Sequence, residues 1–481
     1  MRITTTFVSL SFINFGPNSA GIVLGSALRR SGIDLKVRYL DINLGESTLD
    51  QALWSLLASD ASLFAFSLYS WNVLPAVCLV RGLRVARPGT KIVAGGSGTL
   101  LVADADRALF DCITDQPGEQ ALVEFLGGEP EASEASLSSR AYMDRNDSYV
   151  TAFPRKDVIC YDASRGCPFR CEFCFDGRQS TRSVRRPREV IREELSFLAS
   201  NGYELIDIAD NNANEDRACF ETYLDSAHSY ASTRFHFEAR AELFDKPLAS
   251  AAAALPNIQL GVGIQTALKS EGRTIRRINN YEKAYTVLAD WMNIDERRCS
   301  ISLDLIFGLP DQTLGTFRQS FDWTARLYPN KILLNHYREF QTLPDSPQSA
   351  ILSADLGYAI AHSPTLSVDD MVSIRQFRRV FMGLQSLGQW TVGINMALVR
   401  DNQSAYVFYQ DLAEECGDDV ELDGVVEAAL AALQDRVAAK SYHILRNAIS
   451  APGPQQHSGH WLFPVSDDWA FRRVQANGLA R

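Results

Sequence analysis

Hydrophobic and polar positions in the first 128 residues alternate between short apolar runs and stretches with helical spacing. The apolar runs predict four strands, over residues 3–12, 36–42, 63–68 and 91–95. Apolar residues three and four apart predict helices over 20–31 and 75–85, and Gly32 and Gly89 stand where these helices end. This alternation is typical of a parallel sheet covered on both faces, so residues 1–128 are predicted to form a doubly wound, Rossmann-like α/β domain.

A change in composition separates this region from the rest of the chain. Residues 129–150 are rich in Gly, Pro, Ser and acidic residues and predict a linker. Over residues 151–350 the strand and helix alternation resumes, with six candidate strands beginning near residues 158, 205, 235, 259, 301 and 331. Beyond 350, helical spacing in 369–386 and 424–438 predicts a mostly helical carboxyl-terminal region, residues 351–481.

Size and charge narrow the class of protein. A chain of 481 residues exceeds the size at which one hydrophobic core stops growing, so more than one domain is expected. With 46% apolar residues and a formal charge of −11, the composition is that of a soluble protein and argues against non-specific nucleic-acid binding. We find no signal-peptide pattern and no apolar run of 18 residues, which predicts a cytoplasmic protein without membrane segments and favours small-molecule substrates.

Three closely spaced cysteines are the strongest chemical signal in the chain. Cys167, Cys171 and Cys174 would converge three thiolates on one iron–sulfur cluster. Such clusters in electron carriers are normally closed by four cysteines, so a group of three implies that a small chelating molecule completes the coordination. A structural zinc site or three unrelated thiols are the alternatives. Zinc sites usually pair two CxxC halves or add histidines at fixed spacing, and no such partner lies nearby.

The cysteine segment resembles the signature of the radical S-adenosylmethionine superfamily, CxxxCxΦC, in which Phe173 is the aromatic residue before the last cysteine. The resemblance implies a partial (β/α)6 barrel with a 4Fe-4S cluster on the three cysteines. It further implies that S-adenosylmethionine chelates the open iron and is cleaved by one electron to a 5′-deoxyadenosyl radical. An external donor of flavodoxin or ferredoxin type would supply the electron.

The same resemblance implies which residues contact S-adenosylmethionine, most of them near the ends of the candidate strands. These are Phe173, Asn211, Glu238, Arg240, Gln265, Asp304 and Leu309. Period two places Glu238 and Arg240 on one face, and an arginine there could clamp a carboxylate. A surface salt bridge is the alternative for this pair.

Small and aromatic residues after the third and fourth strands of the first domain resemble the cobalamin-binding domain found before the barrel in one branch of the superfamily. The implied cobalamin contacts are Ser67, Tyr69, Trp71, Gly95 and Gly96. No histidine precedes His228, so the DxHxxG loop that supplies a lower cobalt ligand is absent. Members of this branch bind cobalamin without that histidine, and others keep the domain without a corrinoid.

The sequence indicates the first step, cleavage of S-adenosylmethionine, more directly than the overall reaction. Tyr337, Glu339 and His336 end the sixth strand and are predicted to transfer a proton or hydrogen, although His336 is also typical of a half-buried structural histidine. The leading hypothesis is a cobalamin-dependent methyltransferase that methylates an unactivated carbon of a natural-product-type small molecule. The alternatives are a cobalamin-free dehydratase or epimerase acting on a sugar or diol, and a cluster- or cobalamin-binding sensor without turnover.

Overall fold

A computed structural model describes residues 3–11, 16–132, 137–174, 182–277, 280–292, 298–338, 350–351, 359–388, 390–417 and 421–438. Among the predicted site residues, Glu339 lies outside this described part. The carboxyl-terminal end of the chain, residues 439–481, also lies outside it.

The first domain is a five-stranded parallel sheet with helices on both faces. Its strands are β1 (Ile3–Ser11), β2 (Leu35–Asn43), β3 (Leu63–Ser67), β4 (Lys91–Gly95) and β5 (Cys112–Ile113), in the order β2-β1-β3-β4-β5. Its helices are α1 (Ser19–Arg30), α2 (Leu49–Ala58), α3 (Val73–Ala86), α4 (Asp104–Arg107) and α5 (Gly118–Phe125). Alternate residues of β3 enter two separate apolar clusters, with Phe64 and Phe66 in one and Leu63 and Ala65 in the other. Both faces are therefore buried, which explains the continuous apolar runs and confirms the predicted doubly wound fold.

Part of the predicted linker packs against the second domain. A short 3-10 helix (Ala141–Met143) and α6 (Tyr149–Ala152) follow the described end of the first domain. Ala141 and Tyr142 are buried in the core of the second domain, and the Tyr142 backbone N–H donates to Glu194 Oε1 at 3.1 Å. The exact domain boundaries stay predictions.

The second domain is a six-stranded parallel sheet whose strand order follows the chain. Its strands are β6 (Ile159–Tyr161), β9 (Leu205–Ile208), β10 (Arg234–Ala239), β11 (Ile258–Gln265), β12 (Ser300–Phe307) and β13 (Lys331–His336), and a two-stranded hairpin of β7 (Ser164–Arg165) and β8 (Val184–Arg185) follows β6. The helices are α7 (Arg188–Ser200), α8 (Arg217–Ser229), α9 (Lys246–Ala253), α10 (Lys269–Thr274), α11 (Tyr281–Met292) and α12 (Leu314–Ala325). Sequential parallel strands with helices between them are the architecture of a βα-barrel, here with six strands.

Helices dominate the carboxyl-terminal region, as predicted. After a small hairpin of β14 (Ala350–Ile351) and β15 (Ile360–His362) come α13 (Val368–Ser386), α14 (Trp390–Arg400), α15 (Ala405–Cys416) and α16 (Leu422–Arg436). Phe321 of α12 makes edge contacts with Phe377 and Phe381 of α13 and with Tyr409 of α15. These rings fix the helices on the outside of the barrel. Within the described part of the chain, every helix is too short or too polar to cross a membrane.

Candidate active site

The three cysteines lie in the loop that follows β7, at the carboxyl ends of the barrel strands. Cys167 and Cys171 are buried and Cys174 is half-buried. The side-chain amide of Asn212 donates to Cys167 Sγ at 3.4 Å, and Arg277 Nη1 lies 4.0 Å from Cys171 Sγ. Polar side chains of the barrel therefore contact the sulfur atoms of two of the three cysteines.

A buried carboxylate, Asp210, holds the base of the cysteine loop. It accepts hydrogen bonds from the Ser164 backbone N–H at 2.6 Å and from the Tyr223 hydroxyl at 2.7 Å. Arg185 of β8 completes the set with an ion pair of 3.2 Å. The loop is therefore fixed to the end of β9 before its first cysteine is reached.

The polar segment after β9 connects the cysteine loop to β10. Asn211 donates to the backbone carbonyl of Gly166 at 3.3 Å. Asn214 exchanges two hydrogen bonds with the backbone of Arg240, at 2.8 and 3.0 Å. Together with Asn212, which donates to Cys167, these asparagines hold the cysteine loop against the ends of β9 and β10. Asn211, the predicted contact of S-adenosylmethionine, lies beside the loop.

Charged side chains meet inside the barrel, below the cysteine loop. His236 Nδ1 lies 2.7 Å from Asp207 Oδ1, and its Nε2 lies 3.8 Å from Glu238 Oε1. Glu238 lies inside the barrel, yet 28% of its side chain is exposed, so it faces an open barrel lumen. Buried atoms without a hydrogen-bond partner in the described part of the chain include Glu238 Oε1, Asp304 Oδ1 and Arg277 Nε.

Two glycines of β11 leave the space that these charged groups occupy. A Cβ at Gly261 would lie 2.6 Å from Glu238 Oε1, its neighbour across the strand pair. A Cβ at Gly263, which pairs with Asp304, would collide with the side-chain amide of Gln265. The lumen therefore holds polar side chains because β11 has no side chains at these two positions.

Burial and mutual repulsion shift the titration of the lumen groups. Burial raises the pKa of Asp304 to about 8, and the nearby Glu238 carboxylate adds to this effect. Burial alone would lower the pKa of His236, but the hydrogen bond and the charge of Asp207 outweigh it and raise that pKa to about 9. The His236 imidazolium consequently balances part of the negative charge in the lumen.

Arg240 and Gln265 both lie at the mouth in constrained environments. Arg240 is only 2% exposed, its Nε donates to Glu242 Oε1 at 2.7 Å, and its guanidinium lies 3.9 Å from the centre of the Phe169 ring. The alternative of a surface salt bridge is therefore wrong for Arg240. Gln265 has a φ of +68° where the register between β11 and β12 shifts. Such strain in a non-glycine residue is a recognised mark of functional sites.

The remaining predicted barrel residues are largely buried. Leu309 is fully buried, Tyr337 is 3% exposed, and the half-buried Phe173 packs against the same barrel core. His336 Nε2 lies 2.9 Å from the Ile360 carbonyl oxygen, and its ring stacks on Phe307 with centroids 4.6 Å apart. Their roles in cofactor binding or hydrogen transfer stay predictions.

In the first domain, the predicted cobalamin residues meet at the carboxyl edge of the sheet. Ser67 and Gly95 are register partners on β3 and β4. The rings of Tyr69 and Trp71 stack in parallel at 4.7 Å, and Trp71 is 44% exposed. Gly96 turns the chain with a φ of +98°. The edge therefore presents a flat aromatic surface next to a glycine turn.

The first domain contacts the barrel on both sides of β6, near the cysteine loop and just before the strand. Arg165, two residues before Cys167, forms a 2.6 Å ion pair with Glu119 at the start of α5. A Cβ at Gly16, after β1, would collide with the Val158 carbonyl oxygen just before β6. A molecule held on the first sheet edge would consequently lie next to the cysteine loop.

Several residues of the site were missed as individual candidates from the sequence. Asn212 is adjacent to the predicted contact Asn211, but spacing along the chain could not show that Asn212 and Arg277 contact the sulfur atoms. His236 shares the face of Glu238 by period two, which was the available signal. Asp210 lacked any local signal, because its partners lie 13 to 46 residues away and two of them lie on a hairpin that was not predicted.

Comparison with known proteins agrees with this geometry. Residues 161–324 match the Radical SAM superfamily. A curated relative, the tRNA-2-methylthio-N(6)-dimethylallyladenosine synthase of Malacoplasma penetrans (strain HF-2), is 22% identical over 219 residues, 43% of this chain. The match spans 43% of that relative's length as well.

Two solved structures share the fold over most of the chain. The cobalamin-dependent S-adenosylmethionine radical enzyme OxsB, with aqua-cobalamin and S-adenosylmethionine bound, matches with a TM-score of 0.62 and 13% identity, covering 100% of this chain and 80% of that one. The radical S-adenosylmethionine methyltransferase TsrM from Kitasatospora setae, with cobalamin and a [4Fe-4S] cluster bound, matches with a TM-score of 0.57 and 18% identity, covering 72% and 77%. At these identities the likeness shows the shared fold, including the domain before the barrel.

Proposed function

We propose that this chain, of which residues 161–324 match the Radical SAM superfamily, is a cobalamin-dependent methyltransferase that methylates an unactivated carbon of a small molecule. The observation that carries the proposal is that the cysteine loop contacts the domain that carries the predicted cobalamin residues. The surface of half-buried Tyr69 and exposed Trp71 lies at the carboxyl edge of the first sheet, and the ion pair between Arg165 and Glu119 joins that domain to the barrel two residues before Cys167.

The cysteine loop fits a cluster with one open corner. The loop supplies three thiols, and Asn212 and Arg277 bring a donor and a positive charge to two of them. Among the described residues, no three His, Cys, Asp or Glu side chains are arranged around a single metal ion. A cubane binds each cysteine through a different iron, so its ligands need not converge in that way. Bound here, the cluster would supply the electron that cleaves S-adenosylmethionine.

The lumen fits the polar groups of S-adenosylmethionine. Glu238 and Asp304 each keep a buried oxygen without a donor, and such oxygens can accept from an ammonium group or from ribose hydroxyls. Arg277 and Arg240 offer positive charge for a carboxylate near the same loop. These residues would hold the cosubstrate between the cysteines and the strained Gln265.

The first sheet edge fits a large flat ligand. The stacked rings of Tyr69 and Trp71 give an apolar surface, and exposed Leu74 and Leu100 lie in the neighbouring elements after β3 and β4. Cobalamin held at this edge would supply the methyl group. The solvent-exposed aromatic surface favours this hypothesis over a cobalamin-free dehydratase or epimerase, for which the edge would need no such surface. The barrel lumen with its unpartnered polar atoms argues against a sensor without turnover.

The experiment uses protein reconstituted anaerobically with iron, sulfide and cobalamin. We expect about four iron atoms per chain, a corrinoid absorption band beside the iron–sulfur shoulder, and 5′-deoxyadenosine after addition of dithionite and S-adenosylmethionine. Cys171→Ala should lose the product, whereas the exposed Cys78→Ala should behave as the wild type.

Each failure has a distinct meaning. Zinc in place of iron would reject the radical mechanism altogether. An intact cluster without a corrinoid band would favour dehydration or epimerisation, and an intact cluster without S-adenosylmethionine cleavage would favour the sensor.

A further inference from the structure

Residues 141–152, which we call the bridging segment, lie between the two domains. Val150 is buried in the core of the barrel, and the Tyr203 hydroxyl donates to its carbonyl oxygen at 2.8 Å. The preceding residue faces the other way, because the Tyr149 ring stacks in parallel on Tyr39 of β2, with centroids 3.6 Å apart. Consecutive residues of α6 therefore pack against different domains.

Tyr149 binds the first domain at the carboxyl edge of its sheet. Its hydroxyl donates to Asp41 Oδ2, near the end of β2, at 2.5 Å. The same hydroxyl accepts from the backbone N–H of Asn18 at 2.8 Å, and Asn18 caps α1 in the connection that follows β1. One side chain thus contacts the sheet edge on which the predicted cobalamin residues lie.

Tyr142 makes the corresponding contact with the barrel, at the end of β6. Its hydroxyl donates to the Cys160 carbonyl oxygen at 3.2 Å and accepts from the Asp162 backbone N–H at 3.2 Å. Asp162 in turn pairs with Arg165, two residues before Cys167, at 2.8 Å. The bridging segment therefore reaches the strand end from which the cysteine loop leaves.

The turn between these two tyrosines is held by its own hydrogen bonds and by α1. The carboxylates of Asp144 and Asp147 accept from the backbone N–H groups of Asn146 and Tyr149, both at 2.9 Å. Both carboxylates also pair with Arg29, at 2.8 and 2.9 Å, and none of the three side chains is more than 20% exposed. A segment fixed in this way keeps the two tyrosines, and hence the strand ends that they bind, at one separation.

Resting on the proposed function, we propose that Tyr149 and Asp41 are positioning residues, which through the bridging segment set the distance between the first sheet edge and the cysteine loop. Neither residue needs to touch a cofactor for this role. Transfer of a group between two bound molecules depends steeply on their spacing, so a small displacement of one domain lowers the rate. Tyr149→Phe removes the hydroxyl and keeps the ring that stacks on Tyr39, which separates the hydrogen bonds from the packing.

The test measures, by pulsed paramagnetic resonance, the distance between a nitroxide on Cys78 and the reduced cluster in the barrel. Cys78 is exposed on α3 of the first domain, and Cys78→Ala, which removes the label, identifies its signal. The wild type should give one narrow distance distribution. In Tyr149→Phe we expect the population of separated domains to rise about tenfold and to appear as a second, longer distance, because a hydrogen bond to a charged acceptor is lost.

Two further variants separate positioning from general damage to the fold. Asp41→Ala should give the same second distance, and adding it to Tyr149→Phe should change nothing further, because both substitutions remove the same hydrogen bond. Tyr230→Phe, which removes a 2.5 Å hydrogen bond to Ser196 within the barrel, should keep the wild-type distance. Formation of 5′-deoxyadenosine should stay at the wild-type level in all of these variants, since the cysteine loop and the lumen belong to the barrel.

A wild-type distance distribution in Tyr149→Phe and Asp41→Ala would overturn the positioning role. So would a second distance accompanied by loss of 5′-deoxyadenosine formation, because the substitution would then have disturbed the barrel itself. A wild type without a corrinoid band would overturn the proposed function alone, since the measured distance joins the label to the cluster and needs no cobalamin. A chain that takes up no cluster would overturn both.

Discussion

At the scale of single residues, Gly96 shows why the turn after β4 requires glycine. Its φ of +98° disfavours any side chain, and a Cβ there would collide with the Leu68 carbonyl oxygen of the neighbouring loop. The requirement is thus set by the packing of two loops, before any ligand is considered. We predict that Gly96→Ala lowers the free energy of unfolding by about 1–3 kcal/mol, measured by urea denaturation.

A matched control for this substitution is Gly89, which has no positive φ and no atom within 4 Å of an added Cβ. Gly89→Ala should leave stability unchanged or raise it by about 0.4–1 kcal/mol. Equal effects of the two substitutions would contradict the loop-packing explanation. Loss of corrinoid binding in Gly96→Ala, with stability retained, would instead place the ligand against this turn.

The lumen histidine gives a prediction for pH dependence. Because Asp207 raises the pKa of His236 to about 9, the folded state holds this proton more tightly than the unfolded state does. The stabilisation is fully present below about pH 6.5 and is lost as pH rises through about 9. As the pH is raised from about 6.5 to about 9, the melting temperature of His236→Gln should therefore fall less than that of the wild type. Parallel pH profiles for the two proteins would show that His236 is not charged in the lumen.

Sequence patterns predicted the elements well and the side-chain geometry only in part. Four of the five strands of the first sheet were predicted within a residue or so, since burial on both faces leaves continuous apolar runs, as in Leu63–Ser67. The cysteine loop could be predicted from the sequence because its three cysteines are close together along the chain. Helices α14 and α15 were not predicted individually. In α14, buried polar side chains such as Asn395 interrupt the apolar spacing. Contacts such as Asn212 with Cys167 depend on how β9 and the loop after β7 meet in space, which spacing along the chain does not contain.

At the scale of elements, the position of the cysteine loop depends on one carboxylate in the segment that follows β9. Asp210 is wholly buried and binds Ser164, Tyr223 and Arg185, so an asparagine, which has one acceptor oxygen in place of two, leaves at least one of these donors without an acceptor. We predict that Asp210→Asn costs about 3 kcal/mol in urea unfolding and lowers the iron bound after reconstitution.

Tyr223→Phe is the matched control, since it removes only one of these donors and keeps the ring. It should cost about 1 kcal/mol and leave the iron content near that of the wild type. An Asp210→Asn protein that binds iron as well as Tyr223→Phe does would show that the loop holds its shape without the buried carboxylate.

At the scale of the whole molecule, the contact between the two sheets is partly electrostatic. Glu119 is nearly buried, and it shares Arg165 with Asp162, which lies 2.8 Å from the guanidinium on the barrel side. In Glu119→Gln, Arg165 keeps Asp162 but loses its ion pair with the first domain. The two domains should stay folded, because each has its own apolar core, while the cysteine loop opens more often.

Hydrogen exchange measured by mass spectrometry checks this expectation. Peptides covering residues 160–174 and 114–125 should exchange faster in Glu119→Gln, and peptides from the barrel core should not change. Asp106→Asn, which breaks the exposed ion pair with Arg81 within the first domain, should leave the cysteine loop unaffected. If exchange in the loop is the same in all three proteins, the domains are held together by packing alone, as between Gly16 and Val158. Faster exchange confined to Glu119→Gln would instead mean that the first domain helps to hold the loop that carries the cysteines.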